Sequence, residues 1–203
     1  MKSKPHPYLE YLSKDKRLAK VLASHQPMQL KRGENVWLSL AGSVMSQQLS
    51  VRVASVIRSR FLALYEGEPT PEQVLGTELT TLRAIGFSNA KAQYVHNIAL
   101  FSLEQGMALD QLQNMTDPEV IAYLTQIKGV GRWTVEMLLM FTLGREDVFP
   151  ADDLGIQQAM MSIYRLKNDD KKVLRAKMEK ISAKWSPYKT FACMHLWRYK
   201  DAG

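Results

Sequence analysis

Residues 124–134 read LTQIKGVGRWT, and DVFPADDLGIQQAM follows at 147–160. The first stretch is a polar helix end, an apolar anchor at Ile127, two glycines one residue apart at Gly129 and Gly131, and then a new helix. Glycines permit a tight turn and close approach of the backbone to another molecule. Where the second helix begins, its unpaired N–H groups and positive dipole end point outward, a geometry that holds a phosphate without reading a base. An ordinary interhelical turn uses the same residues. A dinucleotide-binding loop does not fit, since no strand precedes this GxG and no third glycine follows. In the second stretch Asp152 and Asp153 stand at the start of a helix behind Val148, Phe149 and Pro150. An acid there serves as an N-cap or as a site carboxylate, and the adjacency alone does not choose.

Outward from this core, apolar residues recur at helical spacing, as in Ala54, Ile57, Phe61, Leu62 and Tyr65, and sustained period-two alternation is missing. The chain is therefore predicted to be all-α. Thr70-Pro71-Glu72 and Asp117-Pro118-Glu119 each place a capping side chain before a proline, and Ser88 and Asn168 are further expected caps. Predicted helices run over about 8–23, 34–45, 51–65, 71–76, 78–85, 89–105, 118–125, 132–143, 153–165, 169–183 and 187–199. Segment 132–143 is apolar on nearly every face and is expected as a central buried helix. A two-lobed arrangement follows, with residues about 30–135 in one lobe and 1–29 plus 136–203 in the other, and the cleft between lobes as the expected site.

Lys and Arg outnumber Asp and Glu by 27 to 20, a formal charge of +7 that fits a polyanionic partner. Cys193 is the only cysteine, which excludes an intrachain disulfide, a zinc knuckle or a self-supplied four-cysteine iron–sulfur cluster. The N-terminal stretch carries charges throughout and no apolar h-region, and no membrane-length apolar run occurs. An intracellular protein without membrane association is expected. His6, His25, His96 and His195 show no metal-ligand spacing, and His195 reads as structural.

The run IKGVGRWTVEMLLMFTLGREDVFPADDLGIQQ resembles the signature of the helix-hairpin-helix (HhH-GPD) superfamily of base-excision DNA glycosylases, and is most similar to the 3-methyladenine glycosylase II group. SVMSQQLSVRVASVIRSRF at 43–61, LRAIGFSNAKAQYV at 82–95 and WSPYKTFACMHLWRY at 185–199 resemble further blocks of that group. The resemblance covers about 37–199 and matches the compact form that lacks an extra N-terminal β-rich domain. It implies a monofunctional enzyme that flips alkylated purines such as 3-methyladenine and 7-methylguanine out of double-stranded DNA and hydrolyses the N-glycosidic bond. Asp153 is then the catalytic carboxylate, with Asp152 as cap or support. The turn Gln47-Gln48-Leu49-Ser50 fills the gap in the stack, with Gln48 the first choice of plug, Leu49 the second and Ser50 a minor-groove contact. By the same resemblance Trp133 and Trp197 line the base pocket, with Trp37 and Tyr188 as contributors. Met137 falls where some relatives have a tyrosine, and Lys128 where a hairpin proline is common. Lys91, Lys128, Arg132 and the Gly129/Gly131 backbone are the expected phosphate contacts. No cofactor is required, although the family hairpin often binds Na+ or K+ through carbonyls that here belong to Thr125, Ile127 and Val130. A monomer is expected. The rival readings are a helix-hairpin-helix DNA-binding module without catalysis, a bifunctional glycosylase/lyase, and an all-α interaction protein.

Overall fold

The computed structural model describes residues 6–167 and 170–202. Among the described residues there is no strand, and the chain forms thirteen α-helices in two units. One unit spans Arg32–Leu143; the other combines the N-terminal residues through Lys31 with Gly144 onward. The division falls after Leu143, not near residue 135, because the hairpin's second helix runs unbroken through Arg132–Phe141.

The unit Arg32–Leu143 contains α3 (Val36–Ser46), α4 (Val51–Leu64), α5 (Pro71–Leu75), α6 (Leu79–Ala84), α7 (Asn89–Glu104), α8 (Leu109–Gln113), α9 (Asp117–Leu124) and α10 (Arg132–Phe141). Helix α7 is its spine, packing on α3, α5 and α6, while α10 packs on α3 and α9. Small residues permit this closeness: Ala41 of α3 and Ala92 and Ala99 of α7 are wholly buried beside Leu40, Val44, Val95 and Ile98. Each large side chain so buried contributes roughly 1.5–3 kcal/mol. Thr70 begins α5 with a reciprocal capping box to Gln73. The cap expected at Asp117 belongs instead to Thr116, whose N–H and hydroxyl both donate to the Glu119 carboxylate at 2.7 Å. Helix α10 is not buried all round, for Trp133 and Phe141 remain 38% and 44% exposed while Glu136 is buried.

The other unit contains α1 (Pro7–Leu12), α2 (Lys16–Ala23), α11 (Leu154–Tyr164), α12 (Lys171–Ser182) and α13 (Lys189–Asp201), with a 3-10 turn at Ala183–Trp185. Helix α13 packs on α11 and α2. The single helix predicted over 8–23 is broken because Asp15 caps a new start, accepting the Arg17 and Leu18 N–H groups. Asp15 also accepts the Tyr164 hydroxyl at 2.6 Å and the Trp185 indole N–H at 3.2 Å. Burial alone would raise its carboxyl, but these bonds outweigh burial and hold it below its usual range. The cap expected at Asn168 lies outside the described residues; Asp170 caps α12. No helix among the described residues is long and apolar enough to cross a membrane.

Candidate functional site

Asp153 is the N-cap of α11. Its backbone is extended at φ −69° and ψ 123°, and its Oδ1 accepts the Ile156 N–H at 2.8 Å. The same oxygen accepts the indole N–H of Trp197 from α13, also at 2.8 Å. The residue is 9% exposed. Of the two roles expected for Asp152, cap or support, the N-cap falls to Asp153, the residue preceding the first helical position. Asp152 instead accepts both oxygens' worth of bonding from Arg175 Nη1, at 2.7 and 2.8 Å, in an exposed pair. The chain just before Asp153 is stitched to the start of α13. Val148 N–H donates to Thr190 Oγ1, Thr190 N–H to the Glu146 carbonyl, and Ser186 Oγ and Lys189 Nζ to the Asp147 carboxylate. One seam therefore fixes both partners of the Asp153–Trp197 bond.

Tyr188 is the N-cap of α13; its ring stands edge-on to Tyr11 and Phe191 and lines a cavity with Tyr8 and Met28. His195 is structural: it is wholly buried, shares a 3.2 Å hydrogen bond with the Tyr8 hydroxyl and stacks on His25. Burial, aided by the neighbouring His25 and Arg198 charges, pushes its imidazole down to about 4.

In the unit Arg32–Leu143 the hairpin joins α9 to α10. Gly129 has φ +103°, in the left-handed region, and a side chain there would overlap the Tyr94 ring of α7. The turn is held to α7 a second time by Asn97 Nδ2, which donates to the Lys128 carbonyl at 3.0 Å. Gly131 differs. It is the N-cap of α10 with φ −92°, and nothing lies within 4 Å of where its side chain would stand. Its open face suits approach by another molecule. Arg132 is half exposed and donates through Nε to the buried carboxylate of Glu136 at 2.9 Å; Lys128 is exposed.

A cavity of about 740 Å³ brings together Gln48, Leu49, Trp133 and Met137 with Gly42 and Arg58. Trp37 lies in α3 and is buried at 8% exposure. The turn at one side of the cavity is strongly fixed. Gln48 adopts φ +57°, and Gln47 Nε2 donates to Thr134 Oγ1 at 3.1 Å. Lys91 Nζ donates to the Met45 carbonyl at 2.9 Å and to the Gln47 carbonyl at 2.7 Å, closing the end of α3. Two of the three Lys91 donors are thus committed inward, and partial burial pushes its ammonium below the usual lysine range. Ser50 is the N-cap of α4, its hydroxyl accepting the Val53 N–H at 3.4 Å. Thr125 caps the end of α9, and the Ile127 carbonyl accepts the Val130 N–H at 3.0 Å. Glu136, Arg58 and Tyr94 carry no signal in the sequence, because their importance depends on which helix lies opposite.

The all-helical fold, the glycine hairpin and the capped, buried carboxylate define a helix-hairpin-helix repair protein. The chain belongs to the HhH-GPD superfamily of base excision DNA repair proteins, whose family model matches residues 41–184. It is 36% identical over 186 residues to DNA-3-methyladenine glycosylase 1 of Schizosaccharomyces pombe, covering 90% of this chain and 80% of that protein. It is 30% identical to the putative DNA-3-methyladenine glycosylase YfjP of Bacillus subtilis, covering 94% and 67%. The S. pombe 3-methyladenine DNA glycosylase Mag1 in complex with abasic DNA superposes with a TM-score of 0.84 at 32% identity, covering 97% of each chain. A DNA-3-methyladenine glycosidase from Bacillus halodurans superposes with a TM-score of 0.82 at 33% identity, covering 97% and 90%.

Proposed function

We propose that this chain is a monofunctional DNA glycosylase of base excision repair that hydrolyses the N-glycosidic bond of alkylated purines such as 3-methyladenine and 7-methylguanine, leaving an abasic site. The observation that carries the reading is Asp153: a largely buried carboxylate whose Oδ1 is held by two N–H donors at 2.8 Å. Cleaving the bond builds positive charge on the deoxyribose, and a fixed anion beside it lowers the barrier without reorganising at the moment of reaction. Unit charges 4 Å apart at an effective dielectric near 20 interact by about 4 kcal/mol, roughly a thousandfold in rate. Alkylation at N3 or N7 makes the purine cationic and a good leaving group, so help of this size suffices.

The base must leave the stack to reach such a site. Gln48, displayed on a left-handed residue at the cavity's edge, fills the gap, with Leu49 beside it. The Ser50 hydroxyl accepts the Val53 N–H and keeps its own O–H to donate to a minor-groove acceptor. Trp133, 38% exposed, offers a π face to a flat cation, with Met137 lining the same cavity. The Gly129–Gly131 backbone, Lys128 and Arg132 meet phosphates. The carbonyls of Thr125, Ile127 and Val130 form a donor set of main-chain oxygens alone, which fits Na+ or K+. Ile127 O accepts the Val130 N–H, and a carbonyl oxygen has a second lone pair that can serve such an ion.

Bifunctional relatives carry a lysine two residues after the second hairpin glycine, where this chain has Trp133. An indole forms no imine, so water is the nucleophile. Single-lesion duplexes tested with and without borohydride decide the matter. Excision that breaks the strand only after alkali, with no covalent protein–DNA adduct, is expected. A trapped adduct overturns the monofunctional assignment, and no excision of any alkylated purine overturns the glycosylase.

A further inference from the structure

We propose that Gly155 is a positioning residue for Asp153: its missing side chain is what allows the Trp197 indole to lie against the first turn of α11 and bond the carboxylate. The proposal rests on reading Asp153 as the carboxylate that acts on the sugar.

Glycine is the poorest helix former after proline, so its presence in the first turn of α11 asks for a reason. The backbone supplies none, because Gly155 is helical and is not among the positive-φ glycines. The surroundings supply one. A Cβ built on Gly155 would stand 3.0 Å from Trp197 Cδ1, 3.3 Å from Trp197 Nε1 and 3.2 Å from Asp153 Oδ1. One methyl group would thus press on both ends of a single hydrogen bond. Neither end can retreat freely. Oδ1 is also bonded to the Ile156 N–H, and Trp197 is carried by a helix whose Ala192, Cys193, His195 and Leu196 are fully buried. The indole or the carboxylate must give by a few tenths of an ångström, which strains the bond that fixes Asp153.

Local and tertiary effects of Gly155→Ala therefore have opposite sign. Alanine favours the helix, so stability should be kept, whereas the carboxylate's clamp is strained. Single-turnover excision of 7-methylguanine is expected to fall more than about twofold, with the roughly 10- to 100-fold of a wholly lost hydrogen bond to a charged group as the upper bound. Affinity for a duplex carrying a tetrahydrofuran abasic analogue should stay within about twofold, since no phosphate contact changes. A second readout reports the geometry itself. In the 15N-labelled protein the Trp197 indole resonance, one of four and assigned by its loss in Trp197→Phe, is expected to move in Gly155→Ala as it does in Asp153→Asn. In a Trp197→Phe background the added Gly155→Ala change should cost less than about twofold. The proposal is overturned by an unmoved indole resonance, by excision within about twofold of wild type, or by a loss equally large in the Trp197→Phe background. Failure of the glycosylase reading would show separately, as wild-type protein that excises nothing, while the indole resonance still decides whether Gly155 positions Trp197.

Discussion

Trp197 donates its indole N–H to Asp153 Oδ1 at 2.8 Å, joining the last long helix to the residue that opens α11. The resemblance to other glycosylases places Trp197 in the base pocket by its ring face, whereas the geometry gives its N–H a second duty. Trp197→Phe separates the two, because phenylalanine keeps an aromatic face and removes the donor. A hydrogen bond to a charged group contributes about 1.5–3 kcal/mol, so single-turnover excision should fall roughly 10- to 100-fold. A variant within twofold of wild type would mean that the indole serves by its face alone.

Lys91 is predicted to act on the Gln48 turn and not on DNA phosphate. Lys91→Met keeps the apolar stem and removes the ammonium that holds the Met45 and Gln47 carbonyls. Duplex affinity should weaken, yet the slope of log affinity against log salt should stay as in wild type. A direct phosphate contact would instead reduce that slope by about 0.9. A salt series on both proteins distinguishes the two roles.

The two hairpin glycines should part company on mutation. Gly129→Ala puts a side chain into the Tyr94 ring at φ +103° and should destabilise the fold by about 2 kcal/mol or more. Gly131→Ala enters open space at φ −92° and should leave stability within about 0.5 kcal/mol while lowering duplex affinity. Thermal unfolding and titration with abasic-analogue duplex check both statements. Equal loss of stability in the two variants would contradict them.

These contrasts also mark what was legible in the sequence. Helix class and most helix starts could be read because caps are local: Thr70 with Gln73, and Ser88 with the Lys91 N–H, lie within one turn. The break at Asp15 is not legible in the sequence because helical spacing of apolar residues continues across it, through Tyr8, Leu12, Leu18 and Leu22. Short α8 left too little periodicity to see. Asp153 could be placed at a helix start, but its clamp could not, for Trp197 lies 44 residues away. Lys91 and the Gln47 carbonyl are separated by the same distance along the chain. A lysine or tryptophan looks alike in sequence whether it faces a partner helix or a ligand, and only tertiary packing decides.

His195 supplies a pH dependence whose sign is fixed by burial. Its imidazole is pushed down to about 4 in the folded protein, below the ordinary 6.5, first by burial and then by the His25 and Arg198 charges. Between those values the unfolded chain binds a proton that the native state refuses. The stabilisation from neutral His195 is therefore complete above pH 6.5 and is lost as pH falls toward 4, with a cost on the order of 2 kcal/mol by pH 4.5. Denaturant unfolding of wild type and His195→Gln across this range should show a shallower pH slope in the variant. Identical slopes would remove His195 as the cause.

The most direct test is excision by Asp153→Asn, which removes the charge while keeping shape and the oxygen that caps α11. Single-turnover assays on a duplex with one 7-methylguanine, run beside Asp152→Asn, compare the two acids. We predict that Asp153→Asn loses excision by about a thousandfold or more while still binding abasic-analogue duplex. Asp152→Asn, which gives up only the exposed pair with Arg175, should keep activity within a few-fold. Excision that survives in Asp153→Asn, or disappears in Asp152→Asn alone, would contradict the assignment of the catalytic carboxylate.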